Sequence, residues 1–146
     1  MNILKLFNIS IFIIVSLFPL SGFSQSKSIK INIPNIKSDK GEILIALFNK
    51  ADGFPENADN AFQTAKLKAK KGLQSISMPN IADGRYALAI FHDENGDGKM
   101  NKNMLGIPKE GYGVSNNVKN LMSAPAFSEA VFTHNRETEL SIRLNY

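Results

Sequence analysis

Cysteine is absent from the 146 residues. Neither a disulfide framework nor a lipid-modified cysteine can form, so a folded domain here is held by packing, with or without a bound ion. Strong charge of one sign is missing too, because 17 Lys and Arg against 13 Asp and Glu leave a formal charge of only +4. The densest basic run, Lys66-Leu67-Lys68-Ala69-Lys70-Lys71, alternates lysine with apolar residues. That alternation describes a half-buried strand with a solvated lysine face rather than a nucleic-acid surface; weak contact with anionic lipid or glycan is its competing use. There is no nucleophile elbow, zinc-protease histidine pair or phosphate-binding glycine loop. The regular helix–strand alternation of a parallel α/β enzyme is likewise missing.

What is present begins with an export signal. Lys5 precedes the apolar stretch Ile9 to Leu20, and Ser21-Gly22-Phe23-Ser24-Gln25 follows with small residues at alternate positions. The pattern predicts a signal peptide cleaved after Ser24, with Ser26 as the nearby alternative. An uncleaved anchor competes, since the apolar stretch is only a little short of the ~20 residues that span a bilayer. Pro19 and the small residues behind it disfavour that reading. The expected organisation is a leader over 1–24 and a single domain over 25–146, periplasmic or secreted, with no membrane span after cleavage. Removing the leader takes away one charge, that of Lys5, lowers the formal charge from +4 to +3 and leaves 122 residues, enough for one ordinary domain with a core.

The mature chain reads as strands. Ser28 to Pro34 alternates, with Ile29, Ile31 and Ile33 on one side. Glu42 to Phe48 and Arg85 to Phe91 are apolar on both faces, which predicts central strands. Ala58 to Phe62 is expected to be a short helical or irregular piece, followed by a strand through the lysine run. Leu73 to Pro79, Phe127 to Thr133 and Thr138 to Tyr146 complete about seven strands. The fold class predicted is all-β, an antiparallel sandwich of immunoglobulin-like or transthyretin-like type; a barrel is the alternative. Between His92 and Ala126 lies a long turn-rich stretch with Gly96, Gly98, Gly106, Gly111 and Gly113. A connection of that length has to be organised, by packing of Tyr112 and Leu121 or by a metal.

Asp93-Glu94-Asn95-Gly96-Asp97-Gly98-Lys99-Met100-Asn101 within this stretch has the spacing of a calcium loop. With Asp93 at position one, Asn95, Asp97, the Lys99 carbonyl and Asn101 fall at three, five, seven and nine, and Gly98 at the turn position six. Position twelve is Met104 rather than an acid, so a Ca2+ site here is weak unless Glu94 or Glu110 folds in. The metal-free reading has the same Asp and Asn side chains accepting backbone N–H groups.

The segments Asp83 to Ala87, Phe91 to Lys99 and Leu105 to Asn117, with Pro125 to Ala130 and the final Tyr146, resemble the bacterial family called domain of unknown function 2141. The resemblance covers nearly all of the mature chain. It implies an exported bacterial sandwich with no assigned activity, and places His92, Asp93, Asn95, Gly98, Gly106, Pro108, Glu110, Gly111, Tyr112, Gly113, Ser115 and Asn116 on characteristic positions. Members often carry Asn at the place of Asp97 and Asp at that of Asn101, an exchange that keeps oxygen donors.

Three functional readings follow. The leading one is a non-enzymatic extracytoplasmic module, shaped by the 93–103 loop and serving binding or envelope structure. A hydrolase reading uses His92 as base with an acidic partner and Ser115 as nucleophile. A third has His92, Glu110, Tyr112, Ser115 and Asn116 line a site for a glycan or peptide, Tyr112 being uncovered between two glycines. His92 is otherwise a structural hydrogen-bonding residue, and His134 is expected at an exposed turn.

Overall fold

The computed structural model describes residues 27–120 and 123–146. The leader, its cleavage points and Leu121 lie outside the described residues. Strands β1 (Ile29–Ile36), β2 (Glu42–Phe48), β3 (Gln63–Lys68), β4 (Gly72–Met78), β5 (Gly84–Asp93), β6 (Gly111–Val114), β7 (Phe132–His134) and β8 (Thr138–Ser141) form two sheets, with one helical turn, α1 (Phe127–Ala130). One sheet has the order β4-β1-β8; the other runs β3-β2-β5-β6, and β7 pairs with the start of β5. All pairs are antiparallel except β1 with β8, which is parallel. The predicted all-β sandwich is therefore the fold, with eight strands among the described residues.

Period-two alternation explains the core. Ile29, Ile31 and Ile33 of β1 face Ile43, Ile45 and Leu47 of β2 and Leu88 and Ile90 of β5, all buried between the sheets. Full burial of each such side chain contributes about 1.5–3 kcal/mol, which makes this interface the main source of stability. The opposite face of β5 is covered as well: Ala87 packs with Val114 and Ala130, and Ala89, Phe54 and Phe127 close over them. Both β2 and β5 are central strands, as their two apolar faces predict. The edge strand β3 turns Lys66 and Lys68 outward and Leu67 inward. Exposed lysines on a free edge discourage pairing with another chain.

Three expectations are corrected. Phe127 to Ala130 is a helical turn rather than strand, its first turn held by Glu129, whose Oε2 accepts the Ala126 N–H at 2.8 Å. Gly111 to Val114 is a strand inside the stretch expected to be turns. His134 is fully buried, not at an exposed turn, because β7 pairs with β5 and sets its ring against Tyr86, with centroids 6.3 Å apart.

The C-terminal segment then crosses between sheets. Ile142 N–H donates to the Asn32 carbonyl of β1, while Asn145 exchanges backbone hydrogen bonds of 2.7 and 2.9 Å with Tyr112 of β6. This crossing explains the glycines around Tyr112. A Cβ on Gly111 would lie 2.5 Å from the Tyr146 ring, and one on Gly113 would lie 2.6 Å from the Arg143 carbonyl oxygen.

Candidate functional site

The 93–110 loop emerges where β5 ends. Gly41, at φ +68°, lies so close to the Asp93 carbonyl that no side chain fits between the β1–β2 turn and this strand end. Asp93 is 3 % exposed, and its two oxygens accept Gly96 N–H at 2.8 Å and Gly98 N–H at 2.9 Å. Gly96 and Gly98 both have positive φ, so the chain curls back and aims these donors at one carboxylate. Glu110, 6 % exposed, reaches back from just before β6. Its Oε1 accepts Glu94 N–H at 3.0 Å, and its Oε2 accepts Asn101 N–H at 3.0 Å. Two buried carboxylates thus take up donors that an irregular chain would otherwise leave to water.

Asp97 is exposed at the outer edge. The Asn101 amide, then the Lys99 N–H, hold its carboxyl below the usual carboxylate value. Asn95 Oδ1 accepts Asp97 N–H at 3.1 Å, and Asn95 Nδ2 donates to Asp97 Oδ2 at 3.1 Å. The Asn101 amide nitrogen faces three oxygens: Asp97 Oδ2 at 3.0 Å, the Lys99 carbonyl at 3.1 Å and Glu110 Oε2 at 3.1 Å. Three acceptors compete for two amide hydrogens. The nitrogen sits where these three oxygens converge.

Among the described residues no group of three or more His, Asp or Glu side chains is gathered closely enough to hold a metal. A cation at this loop therefore depends on carbonyl and amide oxygens as well as carboxylates. Of the five expected ligands, Asp97 and the Lys99 carbonyl converge on Asn101, while Asp93 and Asn95 brace the turn. Glu110, the acid nearest this cluster from beyond Met104, accepts N–H groups of Glu94 and Asn101.

The other candidates are dispersed. His92 is fully buried; its Nε2 lies 2.9 Å from the Lys40 carbonyl and its Nδ1 lies 2.8 Å from the Tyr146 hydroxyl. A carbonyl only accepts, so Nε2 carries the proton, and the Tyr146 hydroxyl donates to Nδ1 while accepting Lys37 N–H at 2.9 Å. His92 ties the β1–β2 connection to the chain end. Ser115 is equally buried, donating to the Ala130 carbonyl and accepting Leu88 N–H at 2.9 Å. Leu88 is four residues along β5 from His92, roughly 13 Å at strand spacing. Base and nucleophile are not brought together. The Glu94 carboxylate approaches His92 Nδ1 at 3.7 Å, beyond hydrogen-bond range. Asn116, at φ 63°, donates to the carbonyls of Glu129 and Val131. Tyr112 is partly covered and paired with Phe91 across the sheet. Hence Ser115 and Asn116 hold the α1 region, whereas Glu110 holds the loop.

Fold and site together define an all-β sandwich domain carrying one polar loop braced by two buried carboxylates. The chain matches the family described as an uncharacterized protein conserved in bacteria (DUF2141) over residues 31–142, and it belongs to that family. No curated protein and no solved structure matches it.

Proposed function

We propose that the chain is an exported, non-enzymatic binding or envelope module whose 93–110 loop takes up a calcium ion weakly. The observation that carries the calcium reading is the convergence of Asp97 Oδ2, Glu110 Oε2 and the Lys99 carbonyl on one amide nitrogen. Turning the Asn101 carboxamide would replace a donor with a fourth oxygen. Calcium takes six to eight oxygens at about 2.3–2.6 Å, so water completes the shell and affinity falls in the range of about 0.1–1 mM. Magnesium, with its stricter octahedron, suits a mixed set of this kind less well. The export reading is supported by the leader pattern around Lys5 and Ile9 to Leu20.

Calorimetry and thermal melts in calcium, magnesium and EDTA test the ion. With a dissociation constant near 1 mM, 10 mM calcium stabilises the fold by about 1.4 kcal/mol. That raises the melting temperature by about 4–6 °C for a domain of this size. Asp97→Asn should weaken the response without disturbing the fold in EDTA. A wild-type protein showing neither heat nor a melting shift at 10 mM calcium removes the calcium reading. The mass of the exported protein tests compartment: an N-terminus at Gln25 or Lys27 is expected, and an intact leader in the inner membrane refutes it.

A further inference from the structure

Met104, Leu105 and Ile107 are 104 %, 83 % and 54 % exposed, three large apolar side chains within four consecutive residues. Singly exposed apolar residues are ordinary on protein surfaces; a contiguous group at a loop tip is not. The tip is also built rather than slack. Asn103 Oδ1 accepts Leu105 N–H at 2.9 Å and Ile107 N–H at 3.0 Å, Asn103 N–H donates to the Ile107 carbonyl at 2.8 Å, and Lys102 bridges Pro108 below. Nothing in this hydrogen bonding turns the three side chains inward.

Lysines stand at the base of the tip. Lys99, Lys102 and Lys109 are exposed, Lys102 in an ion pair with Glu56 at 3.0 Å. From the Lys102–Pro108 bridge to Leu105 is three residues, about 10 Å of extended chain. An apolar surface seated at a bilayer interface lies about 5–10 Å into the headgroup and acyl boundary, and lysines above it meet anionic headgroups. The geometry points to the 102–108 tip as a membrane-surface anchor that inserts Met104, Leu105 and Ile107 among the lipids of an anionic bilayer, with Lys102 and Lys109 at headgroup level. A protein partner would have to supply a matching pocket for three side chains this exposed; a bilayer deforms around them.

The chain contains no tryptophan, so a single introduced indole reports on one place. The test compares full-length Leu105→Trp with Leu73→Trp, a control on β4 that is also exposed, at 67 %. Both are titrated with vesicles of phosphatidylcholine and phosphatidylglycerol in EDTA, which makes the result independent of the calcium reading. The Leu105→Trp emission should move to shorter wavelength and be quenched by brominated acyl chains, and that of Leu73→Trp should do neither. Adsorption through the apolar Ile9 to Leu20 stretch brings neither indole into the lipid specifically. In the Leu105→Trp background, Lys109→Gln should weaken partitioning roughly fivefold, and Met104→Ser by about tenfold or more. An unchanged Leu105→Trp emission at saturating lipid, or equal shifts from both probes, overturns the proposal. So does an emission shift that grows with protein concentration in the absence of lipid, which assigns the tip to a second copy of the chain.

Discussion

Replacing Glu110 by Gln tests whether this carboxylate, rather than a metal, organises the loop. The substitution conserves shape but exchanges one acceptor oxygen for an N–H2 group. In wild type, Oε1 serves Glu94 N–H and Oε2 serves both the backbone and the side-chain N–H of Asn101. Whichever way the new amide turns, a donor faces a backbone donor, and at 6 % exposure little water can intervene. Loss of one charge-assisted hydrogen bond and an unsatisfied buried group together cost about 2–3 kcal/mol. For a domain of this size that lowers the melting temperature by about 8–12 °C. The assay is thermal unfolding in EDTA together with amide hydrogen exchange. The exchange of Glu94 and Asn101 should accelerate more than that of Ile45 or Ile90 in the core. A melting change under about 2 °C with unaltered exchange at those two amides would refute the argument. Asp97→Asn is the internal contrast: this carboxylate is exposed, so the same change should leave the EDTA melt nearly unmoved.

Ser115→Ala strips two buried backbone groups, the Leu88 N–H and the Ala130 carbonyl, of their shared partner, and should cost about 2–3 kcal/mol in denaturant unfolding. Ser115→Cys, a poorer hydrogen bonder of similar shape, should fall between; an Ala variant as stable as wild type would show that α1 is held otherwise. Alkaline pH should loosen the chain end. Burial raises the Tyr146 hydroxyl above its ordinary value of 10.0, although Lys37 N–H opposes the shift, so the folded state favours the protonated phenol. Its contribution is complete below the unfolded value and is lost as pH rises through the higher folded one. The difference in melting temperature between wild type and Tyr146→Phe should therefore shrink above pH ~10, and a difference constant with pH would refute it.

The strands that alternation exposes were legible because one side chain in two meets the opposing sheet. Ile29, Ile31 and Ile33 carry that signal, and Glu42 to Phe48 carries its two-faced form. Strand β6 was hidden for a physical reason: two of its four residues are glycine, which local propensity scores against a strand. Those glycines answer to Tyr146 and Arg143, some thirty residues further along, and no local pattern encodes that encounter. His134 was misplaced for a related reason. Its flanking Asn135 and Arg136 read as a turn, yet pairing of Phe132 with Tyr86 carries the ring into the interior beside Thr138.

The site shows the same division between local and distant information. The Asp93 to Asn101 spacing predicts a chain that folds around its own oxygens, and the positive φ of Gly96 and Gly98 realises it. Spacing alone could not assign the work among those oxygens. Asp93 lies at the strand end, where its carboxylate meets the returning Gly96 and Gly98 donors, so it becomes a brace. Asp97, at the outer edge, keeps its carboxylate toward solvent and Asn101. Glu110 closes the loop because β6 pairs with β5, with Gly111 opposite His92, which brings the residue just before it to the level of Asp93 and within reach of the Glu94 N–H. Sheet register thus carries a buried acid to a backbone donor sixteen residues away. In a β-sandwich the pairing of strands, more than the order of residues in a loop, decides which charges face one another.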